Sequence, residues 1–297
     1  MSKSSIHLDN ILVRHNRTAN LQVVFLDIEK YSKRSSFSQI SVIDAFTKCV
    51  KDAIIAVSKE FIDYAQKNNI NFDTDIISLP TGDGSAVVFS FDGLHEIHLK
   101  FATSVLERVY AANRIGTCDK FEEQGWCNCH QFFNVRIGVS EGRGILYKDV
   151  NDNYNVAGEV INMAARAMPL ADKNQIVFTE AAFRQIVDMV NNPDLVDCFV
   201  AYENIEIKHK IKITVYHYRG CGEEYMNVTP PKNLSALLTA RELQKTMKNL
   251  MSAAMDSGFE GEPVFDQNMM VQLMNVLTPK PNDIKSLPAL PDSGDIG

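Results

Sequence analysis

Val23-Val24-Phe25-Leu26 is an apolar run of the kind that forms a buried strand, and Asp27 follows it directly. Asp83 lies in the tight turn Thr81-Gly82-Asp83-Gly84, between two further apolar runs at 75–79 and 85–91, which predicts a hairpin. Each carboxylate therefore lies at the end of a predicted strand. If these strands are neighbours in one sheet, the two carboxylates meet at the same end of that sheet.

Carboxylates on rigid strands are the hard oxygen ligands that Mg²⁺ or Mn²⁺ prefers, and a metal pair about 4 Å apart suits phosphoryl chemistry. An aspartate in a turn is also ordinary turn chemistry, so either residue alone would indicate little. Together, Asp27 and Asp83 predict a site for two divalent metal ions, Mg²⁺ or Mn²⁺.

A polar pair on a predicted helix adds to this pattern. The helix begins at about Gly158, and Asn162 and Arg166 are four residues apart, so they share one face. An Arg fork beside an Asn amide can stabilise developing negative charge. An isolated pair with this spacing is more often an exposed helix face, and the pair gains weight only beside the two aspartates.

Four segments resemble the class III nucleotidyl cyclase catalytic domain in their order and spacing. The resemblance covers roughly residues 21–218 and implies an α+β fold, a ferredoxin-like or palm-type βαββαβ core with helices on an antiparallel sheet. It further implies a nucleoside triphosphate substrate and a head-to-tail homodimer with active sites at the dimer interface. The four segments are Val24–Ile28, Thr81–Gly84, Arg136–Val139 and Gly158–Arg166.

The resemblance also implies roles for individual residues. Asp27 and Asp83 match the two metal-binding aspartates of the family, and the backbone carbonyl of Ile28 is a further expected ligand. Asn162 and Arg166 match the pair that acts on the transition state. In the family this pair comes from the opposite protomer.

A basic run near the end of the domain is the expected triphosphate site. The family has a triphosphate-binding lysine in this region, and the resemblance leaves Lys208 or Lys210 as the expected residue. Lys208, Lys210 and Lys212 alternate, which predicts that they share one face of a strand. A solvated edge strand would explain the same lysines, because edge lysines discourage aggregation.

The residues that read the base differ from those of purine cyclases. The position that is Lys in adenylate and Glu in guanylate enzymes is Leu79, which offers no hydrogen bond. The position that is usually Asp for adenine is Asn155, whose amide donates and accepts and can recognise either pyrimidine. The glycine of the first loop is Lys30, and its aromatic neighbour is Tyr31, whose hydroxyl would meet the base or sugar.

With both metal aspartates present, these departures favour a cyclase with an unusual base over an inactive one. The opening Leu26–Ser32 resembles the bacterial pyrimidine cyclases of Pycsar anti-phage defence, which make cyclic UMP or cyclic CMP. The expected substrate is therefore UTP, or else CTP. An adenylate cyclase with an atypical pocket, and a catalytically silent cyclase-like module that binds a nucleotide or partner, stay open as alternatives.

The net charge and the cysteine content indicate which partners and which cellular compartment to expect. The chain of 297 residues has a net charge of −7, and an acidic protein is a poor general nucleic-acid binder, so no nucleic-acid partner is expected. The polar start has no apolar signal region, and no apolar run approaches the ~18 residues of a membrane span. Six cysteines without a secretion signal indicate reduced thiols and a cytoplasmic location.

Three of these cysteines cluster with a histidine in a predicted loop at 115–130. Zinc is conceivable for Cys118, Cys127, Cys129 and His130, but their spacing lacks the paired Cys-x₂-Cys of common zinc sites. A surface insertion that happens to hold cysteines is the simpler interpretation.

Periodicity and composition predict the organisation of the chain. Apolar residues at 43–61 and 95–114 follow the helical period, and strands are predicted at 21–28, 132–139 and, separately, 144–147. The predicted domains are a polar lead (1–20), the cyclase domain (21–220), a helical C-terminal extension (221–278) and a disordered tail (279–297).

The extension contains one predicted amphipathic helix, at 234–255, whose apolar face is rich in Leu and Met. Such faces adapt to many partners, so an unknown partner is one interpretation. Packing back on the cyclase core explains the same face equally well.

Overall fold

A mostly antiparallel sheet of eight strands carries the fold of the part of the chain that the structure describes. The structure is a computed structural model, and it describes residues 17–114, 116, 118–129, 131–189, 193–207, 210–220 and 222–234. The strand order is β2-β3-β1-β4-β6-β8-β7, and β5 pairs with β4. The strands are β1 (Arg17–Ile28), β2 (Ile76–Pro80), β3 (Gly84–Phe89), β4 (Val135–Lys148), β5 (Tyr154–Ala157), β6 (Gln175–Thr179), β7 (Phe199–Ile207) and β8 (Ile211–Tyr218).

Helices connect these strands. Ser35 caps the longest described helix, where its hydroxyl accepts a hydrogen bond from the Ser38 N–H at 3.4 Å. Short 3₁₀ helices occur at Tyr31–Lys33 and Met168–Leu170. The α-helices are α1 (Ser36–Glu60), α2 (Ile62–Asn68), α3 (Phe72–Asp75), α4 (Ile97–Asn113), α5 (Asp119–Gln124), α6 (Glu159–Ala167), α7 (Glu180–Met189) and α8 (Pro193–Asp197).

The first four strands form the predicted βαββαβ core. Helix α1 connects β1 to the β2–β3 hairpin, and α4 lies between β3 and β4. The order β2-β3-β1-β4 is that of a ferredoxin-like unit, in which neighbouring strands are antiparallel. The predicted α+β fold with helices on an antiparallel sheet is therefore confirmed.

Strand β1 is buried on both faces, and its alternation assigns each residue to one of two apolar layers. The even-numbered residues 24–28 lie in the main core, which also contains the buried residues of α1 and α4. Leu21 and Val23 lie in a smaller cluster with Val160 and Ala164 of α6. Asp27 continues this second series, so its side chain belongs to the α6 face of the sheet.

Strands β1 and β4 are longer than the sequence predicted. Residues 17–20 pair with β4, so the predicted polar lead at 1–20 ends earlier. The separate strand at 144–147 is wrong, because 135–148 form one continuous strand. Its glycines look like a turn in the sequence, yet a Cβ on Gly144 would lie 2.5 Å from the Leu21 side chain. Gly144 thus permits close pairing and does not end the strand.

The compact unit that holds the sheet extends beyond the predicted boundary at 220 and ends at Pro231, and a second unit begins at Lys232. Met226 lies in the main core, and the N–H of Asn227 donates to the carbonyl of Asn174 at 3.1 Å. Most of the predicted 234–255 helix, and the predicted tail at 279–297, lie outside the described residues. Among the described helices, none combines the length and apolarity needed to cross a membrane.

A buried polar cluster interrupts the core side of the sheet at Glu141. Its Oε1 accepts a hydrogen bond from Asn20 at 3.1 Å, and His95 and His98 lie 3.9 and 4.0 Å from its carboxylate. Burial raises the pKa of Glu141 to about 7, opposed by the Asn20 hydrogen bond and reinforced by Asp92. Burial, and then His95, lower the pKa of His98 to about 3. Glu141 and His98 are therefore not an ion pair near pH 6.

This cluster predicts a specific pH dependence of stability. Between pH 4.5 and about 7 the folded chain keeps a proton on Glu141 that the unfolded chain loses, so this carboxyl destabilises the fold as the pH rises. Glu141→Gln should match the wild type near pH 4.5 and exceed its unfolding free energy above pH 7 by on the order of 3 kcal/mol. Urea unfolding of both proteins at pH 5 and pH 8 measures this. Identical pH dependence in the two proteins would contradict the assignment.

Candidate functional site

The end of β1 brings the two predicted metal aspartates together. Asp27 lies opposite Gly84 of β3 on one side and opposite Arg136 of β4 on the other. The N–H of Ile28 donates to the Asp83 carbonyl at 3.0 Å, which joins the hairpin turn to the end of β1. A Cβ on Gly84 would lie 2.0 Å from the Leu26 carbonyl oxygen, so this approach requires glycine.

Two hydrogen bonds from Arg136 to a single carboxylate oxygen partly offset the charge of Asp27. The Nε and Nη2 atoms of Arg136 lie 3.1 and 2.5 Å from Asp27 Oδ2, and Asp27 is 8% exposed. Burial raises the pKa of Asp27, the guanidinium lowers it, and the nearby charges of Asp83 and Glu29 raise it. The carboxylate thus lies in a place where its negative charge needs a cation.

The donor set suits a divalent metal ion. Asp27 and Asp83 offer carboxylate oxygens from rigid, adjoining backbone, and their mutual repulsion is relieved when a cation binds between them. Arg136 already supplies a positive charge at one of these oxygens. The role of the Ile28 carbonyl as a further ligand stays a prediction, although Ile28 ends β1 beside both aspartates.

In the loop after β1, Lys30 adopts a backbone conformation that is typical of glycine. Lys30 has φ 57, in the left-handed region that glycine adopts readily, and it occupies the position where the cyclase family has glycine. Its Nζ donates to the Gln124 carbonyl at 2.7 Å and lies 3.6 Å from Glu29. Tyr31 is half-buried and packs against the main core, so its contact with a base or sugar stays a prediction.

The two residues predicted to contact the base lie on strands that contact each other. Leu79 is half-buried on β2 and packs in the smaller apolar cluster with Val156 and Ile161. Asn155 lies on β5, which pairs with β4 and contacts β2. The Asn155 Oδ1 accepts a hydrogen bond from the Val156 N–H at 2.7 Å, which leaves the amide NH₂ as the group that can donate to a ligand.

The predicted transition-state pair lies on α6. This helix packs tightly on β4, since a Cβ on Gly138 would lie 2.3 Å from the Ala164 carbonyl oxygen. Asn162 is exposed and Arg166 half-exposed, and the Arg166 Nη1 lies 3.9 Å from the Met163 sulphur. In the described part of the chain, no hydrogen bond or ion pair joins either residue to Asp27.

The predicted lysine face on one strand is wrong. Lys210 is exposed and lies in the turn between β7 and β8 with φ 59, whereas Lys212 lies on β8 opposite Glu206. The turn interrupts the alternation that the sequence suggested. Lys208 lies outside the described residues. In the strand order, β4 and β6 lie between this hairpin and β1. The hairpin that holds Lys210 and the strand that holds Asp27 are therefore not neighbours in the sheet.

Arg136 is the site residue to which the sequence assigned no role. The visible signal is a charged residue within the apolar alternation of 133–139. Its partner is 109 positions away, and only the register of β1 against β4 identifies it as Asp27.

Three cysteines of the insertion, Cys118, Cys127 and Cys129, lie close together. The Sγ atoms of Cys118, Cys127 and Cys129 all lie within 4.8 Å of one another, while His130 lies outside the described residues. Cys49 and the three cysteines of the insertion are free thiols. Cys198 is disulfide-bonded, which departs from the expected reduced thiols.

Comparison with solved structures defines the class of fold. The chain has the fold of class III nucleotidyl cyclase catalytic domains, as the sequence predicted. The guanylyl cyclase Cya2 matches 72% of this chain and 100% of its own, with a TM-score of 0.51 and 13% identity. A bacterial light-regulated adenylyl cyclase matches 80% of this chain and 63% of its own, with a TM-score of 0.52 and 13% identity. No protein-family model and no curated protein sequence matches the chain.

Proposed function

We propose that this chain is a cytoplasmic nucleotidyl cyclase that converts a nucleoside triphosphate into the 3′,5′-cyclic monophosphate and pyrophosphate. The observation that carries the proposal is the junction of Asp27 and Asp83 at one end of a cyclase-type sheet, with Gly84 permitting the close approach. Two acidic ligands in this position are what metal-assisted phosphoryl transfer needs. The guanylyl and adenylyl cyclases of similar fold support the reaction class.

The proposed mechanism begins with the two aspartates. Asp27 and Asp83, with the Ile28 carbonyl, would hold two Mg²⁺ or Mn²⁺ ions, which supply Lewis acidity toward the ribose 3′-hydroxyl and the triphosphate. Arg136 lies at Asp27 Oδ2 and would exchange this carboxylate for a phosphate oxygen when substrate binds. The 3′-hydroxyl would lose its proton to solvent, and its oxygen would attack the α-phosphorus in line. The bond from the α-phosphorus to the bridging oxygen would break, and pyrophosphate would leave with that oxygen.

The second half of the site would come from the opposite protomer of a head-to-tail homodimer. Asn162 would orient the ribose, and Arg166 would stabilise charge on the phosphoryl oxygens. Both are at least partly exposed on α6 and are not bonded to Asp27 within the described chain, which suits use across an interface. Lys208 or Lys210 would neutralise the leaving pyrophosphate.

We propose a pyrimidine substrate, UTP before CTP. Leu79 cannot hydrogen-bond a purine edge, and it fills part of the apolar cluster beside β5. The Asn155 NH₂ group would donate to the O4 acceptor of uracil, where cytosine presents a donor instead. Tyr31 would shape the pocket. With the resemblance of 26–32 to Pycsar cyclases, these features favour a role in making cyclic UMP for anti-phage signalling.

Base selectivity is the direct prediction of this pocket. UTP or CTP should show a kcat/KM at least about tenfold above ATP and GTP, which needs only about 1.4 kcal/mol of differential binding. Asn155→Ala should lose this preference more than it loses turnover, because in the proposed site Asn155 would contact the base and not the reacting phosphorus.

The experiment incubates the purified full chain with each of the four triphosphates and Mn²⁺ and identifies the products by mass. Asp83→Ala, prepared identically, controls for contaminating enzymes. ATP as the best substrate would replace the pyrimidine assignment with an adenylate cyclase of atypical pocket. No cyclic product from any triphosphate would favour the silent nucleotide-binding module.

A further inference from the structure

The insertion between α4 and β4 gathers three thiols into the spacing of a metal site. All three Sγ atoms of Cys118, Cys127 and Cys129 lie within 4.8 Å of one another, and those of Cys118 and Cys129 lie 3.5 Å apart. Zinc–thiolate bonds of about 2.3 Å in a tetrahedron place neighbouring sulphurs about 3.8 Å apart. The thiols are therefore close to the positions that a single zinc ion would require.

The backbone of the insertion is folded so that this meeting occurs. Cys118 precedes α5, and its carbonyl accepts the N–H of Phe121 at 2.9 Å. Gly125 ends the helix with φ 76, in the left-handed region, and this returns the chain toward Cys118. The spacing Cys-x₈-Cys-x-Cys thus contains one short helix and one glycine turn, which explains why common sequence patterns miss it.

The thiol cluster is joined to the loop that follows Asp27. The buried Arg34 donates to the carbonyls of Cys127 and Phe132 at 3.0 and 2.8 Å, and the Ser38 hydroxyl donates to the Cys127 carbonyl at 3.2 Å. Lys30 donates to the insertion as well, at the Gln124 carbonyl. An ion that crosslinked the thiols would fix the insertion against this loop.

We propose that Cys118, Cys127 and Cys129 bind one structural zinc ion. Three thiolates select a soft, tetrahedral cation, whereas the carboxylates of Asp27 and Asp83 select hard cations, so the two sites take different metals. A water molecule or a fourth side chain completes the tetrahedron. The proposal is independent of the cyclase activity.

The test measures metal content of the full chain, purified with reductant and without chelator. Elemental analysis should find about one zinc per wild-type chain, lost in Cys118→Ser and in Cys129→Ser. Cys49→Ser removes a buried thiol outside the cluster and should retain zinc, as should Asp83→Ala. Cobalt added to zinc-free wild-type protein should give a thiolate-to-cobalt charge-transfer band, and this readout does not depend on the variants folding.

Three outcomes would overturn the proposal. The first is a zinc-free chain whose three thiols are reduced and give no cobalt charge-transfer band. The second is full zinc content in both serine variants. The third is a disulfide between Cys118 and Cys129, found by peptide mass mapping of protein prepared with reductant, because it would show that the short Sγ–Sγ distance serves a covalent bond.

Discussion

Asp83→Ala should abolish cyclic nucleotide formation, with a loss in kcat/KM of at least about 1,000-fold, or ~4 kcal/mol of transition-state stabilisation. The reason is that Asp83 and Asp27, which lie where β1 and the hairpin turn meet, are the proposed ligands of both metal ions. Removal of either carboxylate would prevent the metal ions from binding, and the negative charge of the triphosphate would then not be neutralised. Asp27→Asn should have an effect of similar size, measured as product formed from UTP with Mn²⁺.

Both variants are designed to spare the fold. Asp83 contacts β1 through its backbone carbonyl, which alanine keeps, and the amide oxygen that Asp27→Asn introduces can still accept from Arg136. Asp63→Ala removes an exposed carboxylate from α2 and serves as the matched control with wild-type activity. The far-UV circular dichroism spectrum should be unchanged throughout. Wild-type activity in a folded Asp83→Ala protein would remove the two-metal assignment.

The aspartates were predictable because the signals that place them are local. An apolar run ending at Asp27 and a Gly-Asp-Gly turn at Asp83 each identify a strand end from a few residues. Their meeting needed one further assumption, that the strands are neighbours, and the ferredoxin-like order satisfies it. The helix of Asn162 and Arg166 follows equally from local periodicity.

Features that depend on pairing between distant segments could not be predicted in the same way. The contact of Arg136 with Asp27 exists because of strand register. Gly144 looks like a turn residue until the packing of Leu21 shows that a side chain there would clash. The thiols of the insertion meet through a helix and a reversal that no spacing rule describes. In each case the sequence shows an unusual residue, and tertiary structure gives the reason.

The acidic and the cationic halves of the candidate site differ in their burial and in their partners within one chain. Asp27 is buried and hydrogen-bonded to Arg136 within its own sheet. Asn162 and Arg166 instead present polar groups on the side of α6 that faces away from β4. Lys210 is likewise exposed, in a hairpin that other strands separate from β1. A chain whose aspartates meet at one end of the sheet, and whose Asn162, Arg166 and Lys210 have no bond to Asp27 within the described residues, would suit head-to-tail pairing with a second copy.

That arrangement predicts that two inactive variants restore activity when mixed. Arg166→Ala removes a fixed cation and should lower kcat by about 100- to 1,000-fold. In a heterodimer of Arg166→Ala with Asp83→Ala, one interface site carries both substitutions and the other carries neither. Random exchange makes half of the dimers heterodimers, so about a quarter of wild-type activity should return.

A second mixture supplies the matched control. Asp27→Asn with Asp83→Ala places both lesions in the acidic half, so every site in every dimer lacks one carboxylate and no activity should return. Differently tagged protomers, captured on one tag and detected by the other, establish that exchange has occurred. If Arg166 and Asp83 of one chain belonged to the same active site, neither mixture would regain activity, because each site of a heterodimer would still carry one substitution. No recovery with Arg166→Ala in a mixture shown to contain heterodimers would therefore exclude catalysis across the interface.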